Sequence, residues 1–338
     1  MAPMGTLVRV LFVLLLAAAA LAGGLWLDYR AFESRPVALS EPSLIIDIPR
    51  GTSLRGLARR MTDAGLLDHP YYFIVMAYRQ GDQARIKAGE FELTAGMTPR
   101  EVLARITSGQ VVQYPVTLVE GWTFRQAVAA IEAQERFSGE LASLDDAALM
   151  AALGRPGEHP EGRLFPDTYS FPRDTPRLAV LRRAFERMEQ VLAEEWEKRV
   201  EGLPIDTPYE ALILASIIEK ETGVAAERHE IAGVFTRRLQ KGMRLQTDPT
   251  VIYGMGERYD GRIRRADLQE ATPYNTYVIN GLPPTPIALP GRASIRAALA
   301  PADGETLYFV SRGDGSHVFS VTLDEHNRAV RRYILGQP

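Results

Sequence analysis

The feature that most constrains this chain is an uncharged apolar stretch near its N-terminus. Val10 to Leu27 comprise eighteen residues without a charged or strongly polar side chain. That is about the length an α-helix needs to cross a bilayer. Arg9 precedes the stretch, and Trp26 and Tyr29 stand at its far end, where membrane-interface aromatics are common. Residues 10–27 are therefore predicted to be a transmembrane anchor, with residues 1–9 in the cytoplasm and the rest of the chain outside.

The alternative interpretation of the same stretch is a cleaved signal peptide. Ala18 to Ala22 contain the A-x-A spacing at which signal peptidases cut. The apolar run continues past these alanines to Leu27, which is longer than a usual signal core and favours the anchor. Under either interpretation, the remaining residues lie outside the cytoplasmic membrane.

Composition excludes several classes of function. The net charge is only −3, which argues against a surface built for nucleic acid or for an acidic membrane. The chain has no cysteine, so it has no disulfide framework, no thiolate nucleophile and no cysteine-ligated zinc. A length of 338 residues favours two domains with accessory segments.

A short pattern recurs three times in the first half of the chain. Gly51, Gly96 and Gly121 are each followed by Ser or Thr two residues later and by Arg two residues after that. Apolar residues then follow at helical spacing, which predicts a strand, a glycine turn and a helix capped by the hydroxyl. The preceding strands are predicted at 44–49, 89–93 and 114–119.

These repeats give the predicted organisation of the first half. Residues 28–42 have no periodicity and are predicted to be a linker. Residues 43–115 either use a common strand–turn–helix start more than once or form a small αβ module that resembles the LysM wall-binding fold. Residues 116–152 are predicted to be a connecting helical segment.

The second half is predicted to be a larger mixed α/β domain, at 153–338. It opens with a stretch rich in glycine and proline, continues with three helices that end near residues 200, 223 and 242, and closes with a hairpin around "SRGDGS" and a helix from Asp324. Asp248 followed by Pro249 is typical of a helix N-terminus. The predicted fold class of the whole chain is α+β.

Several catalytic motifs are absent or incomplete. "HEIAG" at His229 has glycine at the position of the second zinc ligand, and no P-loop sequence occurs. Ser216 and Lys220 do not have the S-x-x-K spacing of a serine–lysine nucleophile pair, so Ser216 is predicted to be a small serine in a packed helix.

Two glutamates close the most apolar helix, "ILASIIEKETG", at Glu219 and Glu221. A carboxyl group held against aliphatic neighbours has a raised pKa and can act as a general acid. Each glutamate lies on its own stripe of the helix and both stripes are mostly apolar, so periodicity does not choose between them. The alternative is that one or both point into solvent at the helix end.

Long stretches of the chain resemble the endolytic murein transglycosylases of the MltG (YceG-like) family. The matching runs are "EGRLFPDTY", "ASIIEKET", "RLQTDPTVIYGMGERYDG", "ADLQEATPYNTYVINGLPPTPIALPG" and the "HN" at His326. The resemblance implies cleavage of the β-1,4 bond between N-acetylmuramic acid and N-acetylglucosamine, with 1,6-anhydro muramic ends as products. It also implies a single-pass protein of the bacterial inner membrane, with a periplasmic catalytic part that terminates nascent strands near peptidoglycan synthases.

The resemblance also implies the site residues. It assigns catalysis to Glu219, and the neighbouring Glu221 stays as the backup acid from the helix pattern. It marks the following polar residues as sugar contacts: Gln246, Asp248, Tyr253, Tyr274, Asn275 and Tyr277. Each of these has a structural alternative, since Asp248 caps a helix equally well and the tyrosines pack equally well. No metal or organic cofactor is implied, and the expected partners are glycan strands, the synthases and the inner membrane.

Two other functions remain open. One is a hydrolytic muramidase, in which Glu219 works with a second acid such as Glu221 or Asp248. The other is a non-catalytic scaffold, in which the LysM-like half binds the cell wall.

Overall fold

A computed structural model describes residues 4–337 of the protein. The chain divides into two compact units, with unit 1 ending at Tyr114 and unit 2 beginning at Pro115. Within the described residues, the strands form three separate two-stranded sheets.

Unit 1 begins with the long helix α1 (Met4–Ser34), whose apolar side chains between Leu7 and Leu27 are exposed. By length and composition it fits a membrane crossing, although a signal sequence would pass the same test. The helix continues through residues 28–34, where a linker was predicted to begin, because Tyr29 and Phe32 are buried in the core of unit 1.

The rest of unit 1 is a small αβ module. Its elements are β1 (Ser43–Ile48), α2 (Leu54–Asp63), α3 (Pro70–Gln80), β2 (Gly89–Thr94) and α4 (Pro99–Ser108). β1 and β2 pair antiparallel, with Ser43 opposite Thr94 and Ile48 opposite Gly89. The order of β1 to β2 is therefore strand, two helices, strand. The likeness to LysM itself stays a prediction.

The three predicted strand–turn–helix starts are confirmed. The hydroxyls of Ser53, Thr98 and Thr123 each accept a backbone N–H from the first turn of the helix that follows. The glycine two residues before each cap has a positive φ, between 77° and 91°, which a residue with a β-carbon rarely adopts. In each repeat the glycine therefore forms the turn, and the hydroxyl caps the helix that follows.

Unit 2 is mostly helical. After β3 (Tyr114–Thr117), which spans the boundary, its elements are α5 (Phe124–Glu132), α6 (Asp146–Ala152), β4 (Thr168–Phe171), α7 (Arg177–Trp196), α8 (Pro208–Glu221), α9 (Arg228–Gln240), α10 (Asp248–Met255), α11 (Arg292–Leu299), β5 (Tyr308–Ser311), β6 (His317–Ser320) and α12 (Leu323–Tyr333). The predicted hairpin is confirmed, since β5 and β6 pair antiparallel.

The core of unit 2 is built around α8, which contacts α7, α9, α10 and α11. The segment 116–152, predicted as a connection, is part of this unit. Its helix α5 buries Phe124, Val128 and Ile131 and packs on α7. An amphipathic helix with a buried face of this size needs a packing partner, so the segment joins the neighbouring core.

Candidate active site at the end of helix α8

Helix α8 carries its two glutamates into different surroundings. The helix begins with a capping box formed by Thr207 and Glu210, and residues 211–218 are all buried. Glu219 and Glu221 follow at its C-terminal end. Two residues correspond to about 200° around a helix, so the two carboxyl groups leave α8 on nearly opposite sides.

Glu219 is bonded to the backbone of the segment that precedes α11. Its Oε2 accepts a hydrogen bond from the N–H of Gly291 at 2.9 Å. One turn earlier, the hydroxyl of Ser216 accepts a hydrogen bond from the N–H of Ile287 at 3.0 Å. The prediction of a buried serine is confirmed, and this side of α8 holds the segment in place.

A second carboxyl group lies beside the same contact. A β-carbon at Gly291 would lie 1.8 Å from Oε1 of Glu120, so the Glu120 side chain lies directly against this glycine. Desolvation and the charge of Glu219 raise the pKa of Glu120, while the charge of Arg228 lowers it. Gly291 is therefore flanked by two acidic side chains.

Glu221 occupies the other side of α8. Its Oε1 accepts a hydrogen bond from the hydroxyl of Thr247. Burial raises the pKa of Glu221 to about 7, the Thr247 hydrogen bond opposes that rise, and the charge of Asp248 adds to it. Glu221 is thus a carboxyl group that is partly protonated near neutral pH.

Glu221 lines a pocket of about 530 Å³. The other residues that line this pocket are Arg238, Leu245, Gln246, Thr247, Asp248, Tyr277, Tyr308, Phe309, Val310, Ser311, His317, Leu323, His326, Asn327 and Val330. They come from α9, α10, α12, the β5–β6 hairpin and the loops between these elements. The pocket combines a protonatable acid with amide, imidazole and aromatic groups, which suits a polar ring-shaped ligand.

Three of the six predicted sugar contacts line this pocket: Gln246, Asp248 and Tyr277. The hydroxyl of Tyr277 donates to Oδ1 of Asp248 at 2.6 Å. The N-cap position of α10 is Thr247, one residue before the predicted Asp248, and neither side chain makes a capping hydrogen bond that the structure records. Asp248 therefore has its carboxylate in the pocket.

The other three predicted contacts bond to the protein. The side-chain amide of the buried Asn275 donates to the carbonyl oxygens of residues 267 and 270. The hydroxyl of Tyr274 is 2.9 Å from that of Thr285. The hydroxyl of Tyr253 donates to Glu161, and the rings of Tyr253 and Tyr274 meet edge to face at 4.9 Å. These positions fit the packing alternative.

The sequence argument did not assign roles to three pocket residues that form a stack. The guanidinium of Arg238 lies 5.0 Å from the ring centroid of Tyr308, and that ring is stacked 5.2 Å from the ring of His326. Desolvation and the charge of Arg238 lower the pKa of His326, which favours the neutral form of its imidazole. Arg238 and Tyr308 are 70 residues apart, and no local sequence signal pairs them.

A further buried acid was missed as well. Glu161 is 4% exposed, and burial raises its pKa to about 7. It accepts hydrogen bonds from the N–H of Phe124 at 2.8 Å and from the hydroxyl of Tyr253 at 3.1 Å. It is not among the residues that line the Glu221 pocket. Glu161 thus ties α5 to α10 inside the unit.

Among residues 4–337, no group of three or more histidine, aspartate or glutamate side chains is placed to hold a metal ion.

Comparison with known proteins gives a consistent picture. A model of the YceG-like family matches residues 46–332. The chain is 33% identical over 312 residues to a Bacillus subtilis (strain 168) protein named endolytic murein transglycosylase, covering 87% of this chain and 86% of that protein. It is 25% identical to the protein of the same name from Streptococcus pneumoniae serotype 2, strain D39, of which it spans 59%. It is also similar to the crystal structure of a YceG-like protein from Listeria monocytogenes, with a TM-score of 0.54, 30% identity and coverage of 86% of this chain and 100% of that chain.

Proposed function

Because the protein belongs to the YceG-like family, we propose that it is a lytic transglycosylase that cleaves the glycan strands of peptidoglycan. The similar proteins of B. subtilis and S. pneumoniae carry the name endolytic murein transglycosylase, and the B. subtilis protein aligns over most of both chains. The bond cut is the β-1,4 linkage between N-acetylmuramic acid and N-acetylglucosamine, and the muramic product ends in a 1,6-anhydro ring.

The observation that carries this proposal is the position of Glu221 at the wall of the pocket with a pKa near 7. The sequence resemblance assigned the acid to Glu219, two residues earlier. Glu219 bonds to the N–H of Gly291 and does not line this pocket. The geometry favours Glu221, the backup acid of the sequence prediction, as the general acid and Glu219 as a positioning residue.

The proposed reaction needs one carboxyl group. Protonated Glu221 donates its proton to the glycosidic oxygen as the bond from that oxygen to C1 of the muramic ring breaks. The resulting carboxylate then takes the proton of the C6 hydroxyl of the same ring, whose oxygen attacks C1 and closes the anhydro ring. Because the nucleophile is tethered to the reacting carbon, no water has to be bound or activated. The enzyme ends the cycle with Glu221 protonated again.

Gln246, Asp248 and Tyr277 are proposed as sugar contacts, since they share the pocket with Glu221. An amide and a carboxylate suit the N-acetyl and hydroxyl groups of the substrate, and an aromatic ring suits the face of a pyranose. Tyr253, Tyr274 and Asn275 are proposed to support the site through the hydrogen bonds they make within the protein.

Membrane anchoring by α1 is part of the proposal. The helix is long and apolar enough to span a bilayer, and its apolar side chains are exposed. We place the catalytic unit on the periplasmic side, where its substrate is. An anchored enzyme stays near the synthases that make new strands, which suits the termination of nascent glycan. The strand–helix–helix–strand order of unit 1 supports a LysM-like contribution to wall binding.

Product analysis tests the reaction. Purified glycan strands digested with the wild-type protein should yield anhydro muramic ends, detected by mass spectrometry as fragments one water lighter than hydrolysis products. Reducing muramic ends would identify a hydrolytic muramidase instead. Strands that are bound and left intact by the wild type would identify a wall-binding scaffold. Glu221→Gln should abolish the anhydro product while the protein still binds strands.

A further inference from the structure

Helix α3 carries a row of exposed apolar and aromatic side chains. Tyr71, Val75 and Tyr78 are 79%, 47% and 63% exposed. Spacings of four and three residues place them on one stripe of the helix. We refer to these three residues as the α3 stripe.

The α3 stripe lies on the side opposite to the core of unit 1. Phe73, Met76 and Ala77 of the same helix are completely buried. At about 100° per residue, these three project in the direction opposite to the stripe. The stripe therefore faces away from unit 1.

The flank between these two sides of α3 is attached to the end of α1. The hydroxyl of Tyr72 donates to Asp28 at 2.9 Å, and its ring meets that of Tyr29 edge-on at 5.7 Å. The guanidinium of Arg79 lies 5.3 Å from the centroid of the Tyr29 ring. These contacts hold α3 beside the two residues that immediately follow Leu27, the last residue of the apolar run.

We propose that α3 is an interfacial helix whose stripe lies among the lipid headgroups of the bilayer that α1 crosses. This inference rests on the proposed anchoring role of α1. If the bilayer core ends near Leu27, then Asp28 and Tyr29 lie at the membrane surface, and α3 is bound at that level. Tyrosine is suited to this zone because its ring is apolar and its hydroxyl is polar. Trp26 on α1 is 55% exposed and would lie in the same zone.

Contact of the α3 stripe with the headgroups would fix the orientation of unit 1 relative to the membrane. A single spanning helix leaves the attached module free to tilt and to turn about the helix axis. A second contact beside the first restrains both motions and fixes which side of unit 1 faces the membrane. Three residues bury little area, so the stripe orients a protein that α1 already holds and would not bind a membrane strongly alone.

The absence of cysteine from the chain allows a direct test. Val75→Cys in the full-length protein is labelled with the environment-sensitive fluorophore NBD and reconstituted in vesicles of phosphatidylcholine and phosphatidylglycerol. Leu15→Cys in the middle of α1 is the control for anchoring. Arg59→Cys on α2, whose native side chain is 84% exposed, is the control for a solvent-facing helix. Lipids with a nitroxide near the headgroup or deep in the acyl chain serve as quenchers.

The expected result is blue-shifted emission at position 75 that the shallow nitroxide quenches more than the deep one. Position 15 should show the reverse preference, and position 59 should emit as in water. Water-like, unquenched emission at position 75 with normal quenching at position 15 would overturn the interfacial assignment alone. Blue-shifted but unquenched emission at 75 would overturn it in favour of a protein contact. Loss of quenching at position 15 would overturn the anchor and the inference together.

Discussion

The two sides of helix α8 use the same residue type for different purposes. On one side, Ser216 and Glu219 accept hydrogen bonds from backbone N–H groups of the segment before α11. On the other side, Glu221 faces a pocket and accepts a hydrogen bond from a threonine hydroxyl. The carboxylate of Glu219 is engaged by the protein backbone, whereas burial shifts the pKa of Glu221 to about 7. The surroundings of each glutamate, and not its place in the sequence motif, decide which chemistry it can perform.

The largest expected effect is the difference in cleavage rate between variants of Glu221 and Glu219, one from each side of α8. Glu221→Gln should lower the rate of strand cleavage by about 10²–10⁴-fold, because the amide cannot donate a proton to the glycosidic oxygen. Glu219→Gln keeps an oxygen that accepts from Gly291 and should retain at least about a tenth of the rate, far above the loss expected for a general acid. Initial rates on defined glycan strands measure both. Loss of activity in the Glu219 variant together with an active Glu221 variant would reverse the assignment.

Glu161 provides a test of whether a raised pKa alone makes a carboxyl group a catalytic acid. Glu161 has a folded pKa of about 7, above its ordinary value of 4.5, so its contribution to stability is present at low pH and is lost as the pH rises from about 4.5 to 7. The full change corresponds to roughly 3 kcal/mol of unfolding free energy. Glu161→Gln keeps one oxygen for the N–H of Phe124. It should remove the loss of unfolding free energy that the ionisation of Glu161 causes between pH 4.5 and about 7.

Urea unfolding between pH 4 and pH 8 measures the free energy of unfolding of the wild type and the variant. Cleavage rates of the same samples show whether activity follows the same pH dependence. The Glu161 variant should retain the alkaline decline of activity that Glu221 produces. If Glu161→Gln lost cleavage while Glu221→Gln stayed active, the acid of the reaction would be Glu161 and the pocket assignment would be wrong.

The supporting side of α8 can be tested through stability. Ser216→Ala leaves the buried N–H of Ile287 without its acceptor, which costs about 1–3 kcal/mol of unfolding free energy. Ser294 on α11 is the matched control, because it is equally buried and its hydroxyl has no hydrogen-bond partner among residues 4–337. Ser294→Ala should change stability by less than about 1 kcal/mol. Equal losses in the two variants would show that the Ile287 contact contributes little.

The smallest effects concern the pKa of Glu221. The charge of Asp248 raises this pKa and the hydroxyl of Thr247 lowers it. Because the acid must be protonated in the free enzyme, kcat/KM should fall as the pH rises above about 7. Asp248→Asn should move that fall to lower pH, and Thr247→Val should move it to higher pH, each by up to about one pH unit. A pH profile that neither variant shifts would mean that another group sets the decline.

Local structure could be predicted from the sequence because it depends on neighbouring residues. The glycine, hydroxyl and arginine spacing at Gly51, Gly96 and Gly121 identified three helix starts, and the hydroxyl caps are present at each. The β5–β6 hairpin could be predicted for the same reason. The domain boundaries were harder to predict from the sequence. The segment 116–152 joins unit 2 because α5 buries its apolar face against α7, a contact between residues far apart in the chain.

The residues of the candidate site could likewise be predicted from the sequence only in part. Gln246, Asp248 and Tyr277 were identified from matching runs and line the pocket. Asn275 was identified in the same way, but its side chain bonds to backbone carbonyls and to the N–H of Tyr277. Arg238 and His326 were missed because their stacking partner, Tyr308, is distant in sequence from the first of them and lies on another element.

The sequence by itself determined the apolar N-terminal helix, the capped helix starts, the absence of thiol chemistry and the family to which the chain belongs, since each of these is a property of composition or of adjacent residues. Only the tertiary structure gives the two glutamates different environments. Glu219 and Glu221 have nearly the same neighbours along the chain, and their environments differ because Gly291 approaches one side of α8 and Thr247 approaches the other. The pKa of a carboxyl group depends on the groups that surround it in space, and the fold alone brings those groups together.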